Sequence, residues 1–157
     1  MKLGHSVALI TGASRGLGLE VARAFADRGA KLVLAARGRD ALEVAAAELS
    51  RRTDVTALAM DVSEDAERLV AAGFDRFGRI DVLVNNASEL GPSPMPPLES
   101  YDWRELERVL RVNVLAPLHL AQLVLPGMKA RGEGVMINVS SDAGVEAYPG
   151  WGWLRCE

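Results

Sequence analysis

Thr11-Gly12-Ala13-Ser14-Arg15-Gly16-Leu17-Gly18 stands between two runs of different character. Before it, Val7 to Ile10 is a short apolar run of strand type. After it, Leu17 to Arg28 reads as a helix, with Leu17, Val21 and Phe25 on one face and Gly29 as its stop. A glycine-rich turn that closes a strand and opens a helix has a defined physical use. The first amides of the helix lack intrahelical partners, and the helix dipole favours negative charge there, so the turn suits a dinucleotide pyrophosphate. Gly12, Gly16 and Gly18 permit the tight turn and a close approach of backbone and helix. Ser14 adds a hydroxyl donor and Arg15 a cation. The glycine spacing differs from that of the ordinary dinucleotide fingerprint, and a plain strand–helix connection can carry such a turn too, so the rest of the chain has to decide.

Working outward, strand-like and helix-like segments alternate. Lys31 to Ala36 reads as a strand, Arg39 to Leu49 as an Ala-rich helix and Val55 to Met60 as a third strand. Ser63 is placed to cap the next helix, with Glu64, Asp65 and Glu67 in its first turn and an end near Phe77. Ile80 to Val84 is a fourth strand. Leu90 to Pro97 holds four prolines and a glycine and is a loop. Tyr101 to about Arg131 is mostly helix, and Val135 to Val139 is a fifth strand. Alternation with near-continuous apolar strands predicts a parallel α/β sheet covered on both faces. No repeat or linker divides residues 1–150, read as one domain; residues 151–157 form a Gly- and Trp-bearing tail that fits no element.

Composition narrows the function classes. The chain has 157 residues, 49% of them hydrophobic, enough for a core and against disorder. Its net charge of −3, from 18 basic and 21 acidic side chains, argues against a nucleic-acid surface and gives poor support for binding acidic membranes. No signal peptide is evident, and charge or proline interrupts each apolar run short of a membrane span. Cys156 is the one cysteine, which excludes an internal disulfide or a cysteine-based metal site. A soluble cytoplasmic protein is expected.

Polar groups recur at the ends of the strands, where open α/β sheets bind ligands. Asp61-Val62 follows the third strand; by itself it could equally begin a helix. Asn85-Asn86-Ala87-Ser88 follows the fourth. Asn113 lies inside the long helix, four residues before Pro117. Proline has no N–H and its ring clashes with the carbonyl four residues back, so a kink and a free Asn113 carbonyl are expected. Ile137-Asn-Val-Ser-Ser-Asp-Ala-Gly144 ends the fifth strand.

In this order and at these strand ends, the segments resemble the short-chain dehydrogenase/reductase family over nearly the whole chain. The resemblance implies a Rossmann-type, doubly wound sheet, here its first five strands in the order 3-2-1-4-5 of a longer 3-2-1-4-5-6-7 sheet. It implies an NAD(P)-dependent oxidoreductase that interconverts a carbonyl and an alcohol by hydride transfer. Gly12, Ser14, Arg15, Gly16, Leu17 and Gly18 would then serve the cofactor's phosphates. Asp61 and Val62 would contact adenine, and Asn85, Asn86 and Ala87 would stabilise the sheet beside the ribose. Ser88 stands where the family usually has Gly. Asn113 would hold a water of the proton relay, and Ser141 would hydrogen-bond the substrate oxygen.

Family members that use NAD usually carry an acid at the end of the second strand. That position is Ala36, followed by Arg37, with Arg15 in the glycine loop. Two cations suit a ribose 2′-phosphate, so NADP(H) is expected over NAD(H), although Arg37 could also be a solvated loop charge.

The family's chemistry also needs Tyr-x-x-x-Lys, in which Lys lowers the Tyr pKa. The Tyr slot falls at Leu154 and the Lys slot past Glu157; Tyr101 and Tyr148 have no Lys four residues on, among the lysines Lys2, Lys31 and Lys129. The chain is therefore expected to be truncated, with a frameshift or stop near Gly152, and impaired or inactive in turnover. Alternatives are a catalytically incomplete NADP-binding module that pairs with a relative, or a nonfunctional fragment. Homo-oligomer formation, or association through the exposed fifth strand and the long helix, is expected.

Overall fold

Neighbouring positions of a strand point to opposite faces, so a strand with no polar positions needs cover on both sides. The computed structural model, which describes residues 3–142, builds that arrangement. Tyr148, Leu154 and the tail, on which several expectations fall, lie outside the described residues.

The elements run β1 (Val7–Thr11), α1 (Gly16–Ala26), β2 (Lys31–Ala36), α2 (Arg39–Leu49), β3 (Val55–Ala59), α3 (Ala66–Phe77), β4 (Val82–Asn85), α4 (Trp103–Leu110), α5 (Ala116–Arg131) and β5 (Val135–Asn138). The five strands are parallel, in the order β3-β2-β1-β4-β5, as expected of a Rossmann-type doubly wound sheet. Register is set around β1, where Leu9 sits between Val33 and Leu83. Leu9, Val33 and Leu83 face one core, packed under Leu69, Leu120 and Val124 of α3 and α5. Ala8, Ile10, Leu32, Leu34 and Val84 face the other, under Ala22, Ala26, Leu42 and Leu49 of α1 and α2.

Two local expectations are corrected and a third is made specific. Of the face expected on helix α1, Val21 and Phe25 pack half-buried against the core, but Leu17 does not. Leu17 is 56% exposed, and the fully buried stripe is Gly18, Ala22 and Ala26. Small side chains let this helix lie close to the sheet, with Leu19, Val21 and Phe25 packed beside the contact line. Ser63 does not cap α3, which starts three residues later, after Asp65. Its amide and hydroxyl both bond the Asp61 carboxylate instead, at 2.9 and 2.7 Å. Before Pro117, the helix widens where a kink was expected. Arg111–Leu115 form a π-type turn, in which Ala116 N–H donates to the Arg111 carbonyl five residues back. The turn ends where α5 begins, and Pro117 stands just inside α5, so the widened turn is where the ladder adjusts to the amide that proline lacks.

Together these pieces form a continuous helical stretch, Trp103–Arg131, of 29 residues, long and apolar enough to cross a membrane by length and composition, although charge and proline interrupt its apolar runs. Its inner positions Val109, Val112, Ala116, Leu120, Val124 and Met128 are buried in the core.

At the N-terminal ends of the strands, away from the loops that carry the motifs, Asp81 is 1% exposed. Its carboxylate accepts the Val7 amide at 2.9 Å and is paired with Arg79 at 2.7 Å and Arg131 at 3.3 Å. A buried carboxylate with this many donors ties β1, β4 and α5 at one point.

Candidate functional site

The glycine loop is shaped by contacts that only glycine allows. Gly12 and Gly16 have φ of +65° and +56°, in the left-handed region. A Cβ on Gly18 would overlap the Gly12 carbonyl oxygen and come within 2.5 Å of Asn86 Nδ2, so helix and loop touch backbone to backbone. Asn86 holds that geometry. Its Nδ2 donates to the Thr11 and Gly12 carbonyls at 3.0 and 3.2 Å, while Thr11 Oγ1 accepts the Asn86 and Ala87 amides at 3.0 Å each. The end of β1 is thereby stapled to the end of β4.

Helix α1 starts at Gly16 with no side chain capping it. Its first amides therefore face an adjoining cleft of about 560 Å³, lined by Gly12, Ser14, Arg15 and Gly16 on one side and by Ala36, Arg37, Asp61, Val62, Asn86 and Ala87 on the others. A Cβ on Gly16 or Gly38 would meet only open space. Uncapped amides, a hydroxyl and two guanidinium groups form a donor set that fits the phosphates of a dinucleotide. Of the residues expected here, Leu17, Gly18 and Asn85 do not line the cleft: Leu17 is exposed, Gly18 lies behind the loop it supports, and Asn85 lines the neighbouring hollow.

Asp61 stands at the cleft wall as a carboxylate. Burial pushes its pKa up, but the two hydrogen bonds from Ser63, helped by Arg37 and Arg108, outweigh burial and leave it below its ordinary value. It thus remains an acceptor over the whole neutral range.

Next to the cleft is a second hollow of about 800 Å³. Asn85, Asn113, Asn138, Ser140 and Ser141 supply its polar groups, and Leu118, Ala121 and Met136 are among its apolar ones. The expected catalytic pair, Asn113 and Ser141, is therefore brought to one cavity. Asn85 Nδ2 donates to Asn138 Oδ1 at 2.8 Å, whereas the buried Asn85 Oδ1 has no partner among the described residues. Asn113 uses its side chain to clamp a neighbouring peptide: Oδ1 accepts the Glu89 amide and Nδ2 donates to the Glu89 carbonyl, both at 2.8 Å. Ser141 Oγ donates to Asp142 Oδ1 at 3.1 Å.

Tyr101 is not equipped to act as a proton donor to this hollow. Its hydroxyl is buried against Gly91 without a hydrogen-bond partner, and burial, with Glu105 nearby, pushes its pKa above the ordinary tyrosine value. Proton transfer near neutrality needs a shift in the other direction.

Two participants carry no sequence signal. Glu89 bridges Arg37 and Arg108, with Oε2 3.2 Å from Arg37 Nη1 and Oε1 2.7 Å from Arg108 Nη2. Arg37, expected either on a phosphate or in solvent, is thus engaged by a carboxylate from the loop after β4. A Glu in that loop and an Arg on a helix read as solvated charges until the fold brings them together.

Comparison with known proteins agrees with this geometry. Residues 6–153 match the short chain dehydrogenase family. An uncharacterized oxidoreductase of Thermotoga maritima is 35% identical over 153 residues, which cover 95% of this chain and 59% of the relative. One from Listeria monocytogenes is 36% identical, over 96% of this chain and 60% of its own length. The chain thus spans well under two thirds of these relatives. Among solved structures, L-sorbose reductase from Gluconobacter frateurii, complexed with NADPH and L-sorbose, superposes with a TM-score of 0.86 at 35% identity, covering 98% of this chain and 61% of that one. NAD+-bound xylitol dehydrogenase gives 0.88 at 31% identity, with the same two coverages of 98% and 61%. A family match across the glycine loop, the strand-end motifs and the serine segment, on the matching fold, means that this chain belongs to the short chain dehydrogenases.

Proposed function

We propose that the chain is the cofactor-binding part of an NADP(H)-dependent oxidoreductase that interconverts a small carbonyl compound and its alcohol. The observation that carries the reading is the cleft at the uncapped start of α1, with Arg15 and Arg37 on its wall and no acid at Ala36. The related L-sorbose reductase was solved with NADPH, and the related xylitol dehydrogenase with NAD+, which supports a nicotinamide cofactor in either form. Arg37 tips the choice toward the 2′-phosphate.

In this reading Gly12, Ser14, Arg15 and Gly16 hold the pyrophosphate on backbone amides, a hydroxyl and a guanidinium. Val62 and Ala87 wall the adenosine, and Asp61 accepts from the adenine amine. When bound, the nicotinamide supplies or takes up the hydride. The Ser141 hydroxyl donates to the substrate oxygen and polarises the carbonyl. Asn113 fixes the loop at Glu89 and so the wall of the substrate hollow. The apolar share of that hollow, with Leu118 and Met136, suits a compact neutral substrate. A cytoplasmic setting belongs to the same reading.

Titration of the purified chain with NADPH, followed by nicotinamide fluorescence and compared with NADH, tests the cofactor half. Saturable binding that favours NADPH is the expected result; tighter binding of NADH would refute it. A second reading follows from the sequence: these 157 residues contain no Tyr-x-x-x-Lys, so by themselves they are expected to bind the cofactor with weak or no turnover. Ketone-dependent NADPH oxidation at the rate of an ordinary enzyme would exclude that second reading.

A further inference from the structure

The Glu89 carboxylate is the least solvated member of a charge cluster at the mouth of the cofactor cleft. It is 13% exposed, against 55% for Arg37 and 57% for Arg108. Its backbone is held on both sides by the Asn113 amide, so the peptide that carries it cannot readily withdraw. Its two oxygens are divided between the arginines, and the Arg37 contact is the longer, at 3.2 Å against 2.7 Å. Arg37 also lines the cofactor cleft, whereas Glu89 lines the neighbouring hollow. The carboxylate that holds Arg37 thus belongs to the wall of the neighbouring hollow, while Arg37 itself borders the cleft. The exposed, more loosely held guanidinium is the partner free to change allegiance.

Resting on the reading of the cleft as a nicotinamide-dinucleotide site, we propose that Glu89 is a specificity-determining residue: an internal anion that competes with the ribose 2′-phosphate for Arg37 and so sets how strongly the cleft prefers NADP(H) to NAD(H). When a 2′-phosphate enters, Arg37 turns from the carboxylate to the phosphate, a stronger and more highly charged acceptor. Arg108 keeps hold of Glu89 at the shorter contact, so the carboxylate is not left buried and unpaired. A nucleotide without the 2′-phosphate leaves the Arg37–Glu89 pair intact and gains nothing from Arg37. Preference thus depends on a difference between two anions, one of them built into the protein.

The test uses the full chain and two probes that lack nicotinamide, 2′,5′-ADP and ADP, by isothermal titration. Glu89→Gln removes the negative charge, keeps an oxygen for Arg108 and leaves the peptide clamped by Asn113 unchanged. The expected result is 2′,5′-ADP binding about threefold to tenfold tighter, the range of a part-exposed charge-assisted contact, with ADP changed by less than about twofold. In an Arg37→Ala background the same substitution should give no gain. Arg108→Gln, on an exposed helix face, should act in the opposite sense: Glu89 then has Arg37 as its sole partner of the two, and 2′,5′-ADP weakens while ADP does not. If 2′,5′-ADP binds E89Q no better than wild type, or both probes gain equally, or R108Q changes nothing, the inference is overturned while the cofactor reading stands. If the folded wild-type chain binds neither probe, the cofactor reading itself fails and takes the inference with it.

Discussion

Gly18 and Gly16 pose opposite problems at one turn. At Gly18 the obstacle is space: an added methyl would overlap the Gly12 carbonyl, and backbone cannot move aside cheaply. Gly18→Ala is expected to destabilise the chain by roughly 1–3 kcal/mol, the usual range for overpacking, and to abolish nucleotide binding. At Gly16 there is open space, but φ is +56°. Gly16→Ala should therefore cost only about 1–2 kcal/mol in backbone strain. Thermal melts and NADPH titration of the two variants check both. Asp81 is a different kind of residue, buried and paired with two arginines. Asp81→Ala should lose about 3–5 kcal/mol, because Arg79, Arg131 and the Val7 amide lose their acceptor, with unfolding in urea as the measurement. Asp61 gives a pH signature. Its folded pKa lies below the unfolded one, so its stabilisation is present in full above about pH 4 and fades as the pH falls through the lowered value. Asp61→Asn should flatten that acid limb of the stability curve. The glycines were legible in the sequence because the residue type itself states the backbone requirement. Glu89 was not. Its partners Arg37 and Asn113 lie 52 and 24 positions away, and no local pattern encodes such a meeting.

Elements whose pattern matched their burial could be read well. Strands β1 and β2 are apolar from Val7 to Ile10 and from Leu32 to Ala36, where both faces are covered, and α2 matches the predicted Arg39–Leu49. Helix α1 was legible in part: Val21 and Phe25 pack as read, but periodicity weighs Leu17 above Gly18 and Ala22, whereas close packing on a sheet selects the smaller residues. The wide turn at Arg111–Leu115 was foreshadowed by Pro117, but proline signals only that an amide is missing, not whether the helix bends or adds a residue to the turn. On the outside of this helical stretch, Leu110 and Leu115 are 43% and 55% exposed and line neither cavity. Val135, Ile137 and Val139 are exposed along β5, which stands at the edge of the described sheet. Apolar surface beside an edge strand drives association. If this surface associates, the double substitution Leu110→Glu and Leu115→Glu is expected to shift the chain toward monomer in sedimentation velocity, with thermal stability nearly unchanged because neither side chain is in the core.

Across the molecule, the motif-bearing loops converge on one end of the sheet, and the Asp81 cluster closes the other. Binding energy gained at the first end is therefore returned as stability of the whole. NADPH at about 100 times its Kd should add about 2.7 kcal/mol to the unfolding free energy and raise Tm by several degrees, and NADH at the same concentration should raise it less. Differential scanning fluorimetry measures both shifts. The staple between Thr11 and Asn86 has a consequence in time as well as in space. It joins residues 75 apart in sequence, and the whole α1–β2–α2–β3–α3–β4 segment lies between them. Strands β1, β2 and β3 can pair through shorter crossovers, while β4 must return past both to insert beside β1. Contacts of long sequence separation form late. The glycine loop therefore takes its nucleotide-ready shape only when β4 docks, and during refolding the ability to bind should lag behind the recovery of helical signal.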